Sequence, residues 1–226
     1  EKKSGTPTMG GVIFILSLII TVLATYRYMD AKSYLVLFCA IGFGIVGFLD
    51  DFIKVVLKRN LGLRAWQKLA LQIIISVIFV FVGLEKGLVS VTINIPFTDV
   101  VWNMGFLYIP FAVFVLLAVV NGVNLTDGID GLATGVSAII IVVLGVLAYL
   151  SGHSIYADYL NIMFIPDSGE LFVFALAMIG ALLGFLWFNS FPAQIFMGDT
   201  GSLAIGGIIA VFALCIRKEL LLPIMC

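Results

Sequence analysis

Apolar residues run along this chain in long uninterrupted blocks, broken by short polar clusters. Seven blocks carry no charge: residues 4–26, 33–49, 69–84, 100–126, 131–157, 171–198 and 200–216. A helix needs about 20 apolar residues to cross the hydrocarbon core of a bilayer, with a range of about 17–25. Flanking Lys and Arg side chains that reach back to the interface let the shorter blocks span. The pattern therefore predicts seven transmembrane helices, and residues 220–226 read as the start of an eighth. The expected fold is an all-α, polytopic helical bundle in a lipid bilayer, one domain over residues 1–226. One segment breaks the pattern. Over residues 88–98 apolar Val89, Val91, Ile93, Ile95 and Phe97 alternate with polar residues, which is strand periodicity and predicts part of a small hairpin.

Composition agrees with the blocks. The 226 residues are 62% hydrophobic and 11% charged, with a mean hydropathy of +1.22, against about half apolar and about a quarter charged in soluble domains. A net charge of −1 leaves no basic footprint for nucleic acid. Cys39, Cys215 and Cys226 have no metal-like spacing and read as small apolar residues.

Helices that each cross once put successive connections on alternate sides. One side receives residues 1–8, 50–68, 121–131 and 189–200; the other receives 27–32, 85–103, 151–170 and 217–219. The first side carries Lys2, Lys3, Lys54, Lys58, Arg59, Arg64 and Lys68. The second carries Arg27, Lys32, Lys86, Arg217 and Lys218. The excess of positive charge places the first side in the cytoplasm. The same parity gathers Asp50, Asp51, Asp127, Asp130 and Asp199 there, with Asn121, Asn124 and Asn189, although three distant connections supply them. A single site at one membrane boundary is expected. His153, the only histidine, falls on the opposite side.

Four clusters carry the chemistry. Lys2-Lys3-Ser4-Gly5-Thr6-Pro7-Thr8-Met9-Gly10-Gly11 offers lysine and hydroxyl groups beside flexible glycine, a phosphate-holding composition, although a basic flank anchoring a span is the plainer reading of it. It lacks the Gly-Lys-Ser/Thr ending of a P-loop. Asp50-Asp51-Phe52-Ile53-Lys54, with Lys58 a turn later, pairs carboxylates suited to Mg²⁺; ion pairing within a helix end is the plainer reading. The third aspartate of soluble prenyl-diphosphate motifs is replaced by Lys54. In the run from Asn121 to Gly131, Asn121, Asn124, Asp127 and Asp130 recur every third position, along one side of a helical or turn-like segment. Its Asp127-Gly128 is followed by Ile129-Asp130, unlike the CDP-alcohol transferase pattern. In the fourth cluster, Asn189 to Ser202, Pro192 ends the preceding helix, and Asp199, Thr200 and Ser202 are candidate N-caps of the next. Phe196 replaces the first glycine of the intramembrane aspartyl protease motif. A cation-coupled transporter would also use intramembrane acids, but would bury them near mid-span.

Over nearly its whole length the chain resembles the polyprenyl-phosphate N-acetylhexosamine-1-phosphate transferases. Gly5-Thr6-Pro7-Thr8-Met9-Gly10-Gly11, the run containing Asn124-Leu125-Thr126-Asp127, and Phe196-Met197-Gly198-Asp199-Thr200-Gly201-Ser202 carry the resemblance. Relatives that use UDP-GlcNAc typically have Met-Val-Asp and Gly-Asp-Ala-Gly there, so the resemblance favours the muramoyl branch, with UDP-GlcNAc as the alternative donor. It implies transfer of phospho-MurNAc-pentapeptide from UDP-MurNAc-pentapeptide to undecaprenyl phosphate, giving lipid I and UMP, with Mg²⁺ required, at the bacterial inner membrane. It implies Asp199 as a Mg²⁺ ligand near Asp50 and Asp51, these three being the catalytic candidates. Phe196 would stack on uracil, with Lys3, Leu125 and Asn189 nearby. Asp127 and Asp130, with Asn121, Asn124 and Thr8, would line the nucleotide-sugar cleft, and Lys54 and Lys68 would face phosphates. Mechanistically, either the lipid phosphate attacks directly, for which Asp50 is the expected assisting carboxylate, or an Asp forms a phospho-enzyme. The family forms homodimers. It also has a span before Glu1, two spans after about residue 222, and a His-bearing loop between those two, so these 226 residues by themselves are expected to be inactive. For orientation, Asn60→Cys should be labelled by impermeant reagents from the cytoplasmic side; labelling only from outside would reverse the topology.

Overall fold

The structure, a computed structural model, describes residues 6–25, 30–56, 62–96, 98 and 100–225. Lys3, Lys58, Arg59, Phe97 and Cys226 lie outside the described residues. The long helices are α2 (Ala31–Val55), α3 (Ala65–Glu85), α4 (Tyr108–Thr126), α5 (Leu132–Gly152), α7 (Leu171–Asn189) and α8 (Gly198–Cys215). All six are long and apolar enough to cross a membrane. α1 (Gly11–Thr25) has 15 residues, about 22 Å at 1.5 Å per residue, and is shorter than the expected block. α6 (Ser154–Tyr159) and α9 (Leu222–Met225) are short. The polytopic membrane bundle predicted from the apolar blocks is what forms.

The helix ends depart from the charge-free blocks for identifiable reasons. α2 runs on past residue 49 through Asp50 and Asp51 to Val55, because both carboxylates turn inward, at 2% and 7% exposure. Its start is capped by Asp30, whose carboxylate accepts the Lys32 and Ser33 N–H groups. α3 begins at Ala65, so Lys68 belongs to its first turn. The block 100–126 is a helix only from Tyr108. Before it come β2 (Val101–Asn103) and a 3₁₀ turn that opens at Gly105, with φ +52°, whose N–H is accepted by Asn103 Oδ1. Block 131–157 divides at His153, which is extended. α7 stops at Asn189, ahead of Ser190-Phe191-Pro192, as Pro192 predicts.

The expected strand over 88–98 shortens to β1 (Thr92–Asn94), because the Leu88 and Val89 N–H groups close the C-terminus of α3 on the Gly83 carbonyl. β1 pairs antiparallel with β2, Ile93 opposite Trp102, and Ile93 is the buried face of this hairpin.

α8 is the axis of the bundle. Every residue from Thr200 to Cys215 is buried, and α1, α2, α4 and α5 pack around it. Such close packing needs small residues at the crossings. A Cβ on Gly11 would stand 2.2 Å from the Gly201 nitrogen, and one on Gly206 would stand 2.6 Å from Val120 Cα.

Below α8 the chain turns through Glu219, outside the six spans. Glu219 is buried, and neither carboxylate oxygen has a hydrogen-bond partner from another described residue. Burial pushes its carboxyl up to about 7; its own N–H and the nearby charges of Arg217 and Lys218 pull the other way, and the Tyr108 phenol and Cys215 thiol also face it. A carboxyl raised in the folded state stabilises the fold below its ordinary value of 4.5, and that contribution is lost as pH rises through about 7. Thermal unfolding should therefore show stability falling from about pH 4.5 to about pH 7 and levelling off above that. Glu219→Gln should flatten that profile, and an identical profile in the variant would refute the assignment.

Candidate active site

The site begins where α2 meets the start of α8. Adjacent residues on a helix point about 100° apart, so Asp50 and Asp51 serve different neighbours. Asp51 reaches α8. Its Oδ1 accepts the Asp199 N–H at 3.2 Å, and its Oδ2 accepts the Thr200 N–H at 2.8 Å and the Thr200 hydroxyl at 2.7 Å. The first N–H groups of any helix lack internal partners and favour negative charge; here a carboxylate from another helix satisfies them. The two backbones must nearly touch for this. A Cβ on Gly47 would lie 2.1 Å from the Asp199 carbonyl oxygen, and Gly198, at φ +76°, has Asp51 Oδ2 2.8 Å from where its Cβ would be.

This corrects the expectation that Asp199, Thr200 or Ser202 caps its own helix. The N-cap position is Met197, with helical φ and ψ and no side-chain cap bond. Asp199 is already inside the first turn, and because Asp51 takes the N–H groups, the Asp199 carboxylate is released toward α3 and α4. Its Oδ2 accepts Lys54 Nζ and Lys68 Nζ, each at 2.9 Å, and its Oδ1 accepts Asn124 Nδ2 at 2.8 Å. Lys54 Nζ also lies 2.5 Å from Asp50 Oδ2. Asp50 Oδ1 accepts the Leu63 N–H at 2.7 Å, which ties the α2–α3 connection to the site. Asn124 is a hub, for its Nδ2 also donates to Ser202 Oγ and its Oδ1 accepts Lys68 Nζ.

One carboxylate oxygen from each of Asp50, Asp51 and Asp199 lies within 4.8 Å of the other two. Three hard oxygen donors in that space fit a Mg²⁺ ion, which prefers oxygen ligands and shares them with phosphates.

A cavity of about 350 Å³ opens on this cluster, within the range of small-ligand pockets, about 300–1,000 Å³. Four chain segments wall it: Thr8 from the first, Asp51 and Lys54 from α2, Asp127 and Asp130 from the α4–α5 turn, and Asn189, Phe196 and Asp199 from the last. The first segment is held there by backbone bonds. Gly10 and Gly11 N–H donate to the Phe196 and Met197 carbonyls, and Phe196 N–H donates to the Pro7 carbonyl. Asn189 fixes the loop that carries Phe196: its Nδ2 donates to the Ile195 carbonyl while its Oδ1 accepts the Thr134 hydroxyl. Asp130 Oδ2 accepts the Ala193 N–H of the same loop.

The three-residue rhythm of the third cluster divides at the end of α4. Asn121 and Asn124 are within the helix and bond to α3 and α8, behind the cavity wall, whereas Asp127 and Asp130 stand in the turn that lines it. Lys68 stands with Asn124 behind Asp199, and Asp50 does not line the cavity. Leu125 is 83% exposed. Sequence reasoning passed over Gln72, Thr134 and the hydroxyl roles of Thr200 and Ser202. Gln72, an amide inside a charge-free block, was the visible signal; Thr134 had none.

Comparison with known proteins agrees with this geometry. The description "Glycosyl transferase family 4" matches residues 33–217, and signature 1 of the phospho-N-acetylmuramoyl-pentapeptide-transferases matches residues 3–15. The chain is similar to the phospho-N-acetylmuramoyl-pentapeptide-transferase of Chlorobium phaeobacteroides (strain BS1), 47% identical over 229 residues, covering 100% of this chain and 62% of that protein. The protein of the same name from Geobacillus sp. (strain WCH70) is 45% identical over 227 residues, covering 99% of this chain and 65% of its own length. That from Flavobacterium psychrophilum is 42% identical over 269 residues, covering 100% and 66%. The chain thus spans about 62% of the length of the first of these relatives.

Proposed function

This chain belongs to glycosyl transferase family 4, and we propose that it carries the reaction face of a membrane phosphoglycosyl transferase that makes lipid I and UMP from UDP-MurNAc-pentapeptide and undecaprenyl phosphate. The observation that carries this reading is the convergence of Asp50, Asp51 and Asp199 with Lys54 and Lys68 beside a cavity walled by Phe196. That set suits a nucleotide diphosphate: carboxylates for a divalent ion, ammonium groups for phosphate charge, and an aromatic ring for a base. The acids stand at helix ends, Asp50 and Asp51 in the last turns of α2 and Asp199 in the first turn of α8. A transporter's mid-span ion site would not be arranged so.

In the reaction, an oxygen of undecaprenyl phosphate attacks the phosphorus that bears the sugar. A new P–O bond forms, the bond from that phosphorus to the bridging oxygen breaks, and UMP leaves with the electron pair. A phosphate monoester has a second pKa of about 6, so the attacking oxygen is already anionic at neutral pH, which supports direct attack. Mg²⁺ held by Asp199, with Asp51 and Asp50 beside it, would neutralise charge on the diphosphate. Lys54, on the cavity wall, stabilises the negative charge that gathers on the leaving phosphate, and Lys68 holds the Asp199 carboxylate from behind. Asp50, bound to Lys54 and off the cavity wall, acts by holding that lysine, not by contact with the lipid phosphate. Phe196 stacks on uracil, with Asn189 holding its loop, and Thr8, Asp127 and Asp130 line the sugar side. The site faces the cytoplasm from the bacterial inner membrane, which the seven-to-five distribution of positive residues supports. Assembly as a homodimer belongs to the same reading; UDP-GlcNAc is the alternative donor.

The test is UMP release by the full-length parent protein in detergent with undecaprenyl phosphate and Mg²⁺, supplied with either UDP-MurNAc-pentapeptide or UDP-GlcNAc. Release from the muramoyl donor alone is expected, falling by at least about a hundredfold in Asp199→Asn. Release from UDP-GlcNAc would change the donor, and release from neither by a folded protein would remove the transferase reading.

A further inference from the structure

Directly behind Asp199, helices α3 and α4 are joined by two polar rungs one helical turn apart. The first rung is Lys68 with Asn124, at the site. The second is Gln72 with Asn121. Gln72 Nε2 donates to Asn121 Oδ1 at 3.3 Å, and Asn121 Nδ2 donates back to Gln72 Oε1 at 2.8 Å and to the Leu117 carbonyl at 2.8 Å. Gln72 is fully buried. Lys68 and Gln72 are i,i+4 on α3, and Asn121 and Asn124 are i,i+3 on α4, so the rungs share one face of each helix.

The second rung has no place in the chemistry, since neither Gln72 nor Asn121 lines the cavity. Its energetic weight is nevertheless specific. A buried amide left without a partner costs about 1–3 kcal/mol. A reciprocal amide pair therefore adds a directional constraint to the steric packing of the apolar side chains, because sliding by a turn breaks both bonds at once. Lys68 needs such a fixed point. It stands in the first turn of α3, whose start is closed by Gln67 Oε1 accepting the Arg64 N–H at 3.1 Å, but the lysine stem itself is flexible. Yet its ammonium is held 2.9 Å from Asp199 Oδ2.

We infer that Gln72 is a positioning residue: its amide pair with Asn121 sets the register of α3 on α4 and so holds the Lys68 ammonium on Asp199. The consequence for turnover rests on the transferase reading above; the positioning does not.

Two readouts on the full-length parent separate these. In the first, the rate at which a small amine reagent modifies Lys68 is followed by mass spectrometry, with exposed Lys86 as internal control. Gln72→Leu and Gln72→Asn, the latter one methylene too short to span the pair, should each expose Lys68 about fivefold or more and leave Lys86 unchanged. If Gln72→Leu speeds both lysines it has misfolded, and Gln72→Asn, which keeps an amide there, decides. Unchanged Lys68 labelling in a folded variant overturns the inference. In the second, Gln72→Leu should lower UMP release about tenfold in wild-type background and cause no further loss in Lys68→Met, since the two act as one unit. Additive losses would mean that Gln72 supports only the fold. If wild type releases no UMP, the transferase reading falls and the labelling result still judges the pair.

Discussion

The site depends on one bond set: the Asp51 carboxylate on the N–H groups of Asp199 and Thr200. α8 is wrapped on all sides by other helices, so its starting N–H groups cannot rely on water. In most helices the residue just before the first turn would cap them. Here α2 does so from across the interface, and three features follow. α2 must lie against α8 at Gly47, where a single methyl group would collide with backbone. Gly198 must adopt a positive φ beside the carboxylate. And Asp199, relieved of capping, can turn its own carboxylate outward to Lys54, Lys68 and Asn124.

Charge is balanced locally around that arrangement. Carboxylates at a membrane boundary are tolerated when paired, and each ammonium here has a carboxylate within 2.9 Å. The amides of Asn124 and Asn189 complete the frame, one holding Asp199 and the other the loop of Phe196. A diphosphate and a divalent ion entering such a site exchange one set of charge partners for another, instead of bringing uncompensated charge into low dielectric. The backbone ladder from Pro7–Gly11 to Phe196–Met197 closes the cavity with the start of the described chain and the loop that leads into α8.

Much of this was legible in the sequence because two constraints are strict. Lipid forces each long apolar block to be a helix, and parity then assigns Asp50, Asp127 and Asp199 to one face, whatever their separation along the chain. Pro192 marked the end of α7 for a local steric reason. Features set by contact between helices were not legible. Nothing near Asp199 reveals that its N–H groups are taken by a residue 148 positions away, so a local cap was the natural expectation. Nor does the even spacing of Asn121, Asn124, Asp127 and Asp130 show that the helix ends at Thr126 and sends the last two elsewhere. The block at 100–126 misled because β2 and the Gly105 turn are as free of charge as a membrane helix. Gln72 was visible only as an amide without an evident reason to be buried.

The most direct test of the account is the thermal unfolding midpoint of Asp51→Ala in the full-length parent, read in the same detergent samples that are assayed for UMP release. If Asp51 caps α8 and thereby aims Asp199, the variant loses about 3 kcal/mol of stability, and the folded fraction releases UMP at least about tenfold more slowly. A variant that unfolds at the wild-type temperature and turns over at the wild-type rate would contradict it.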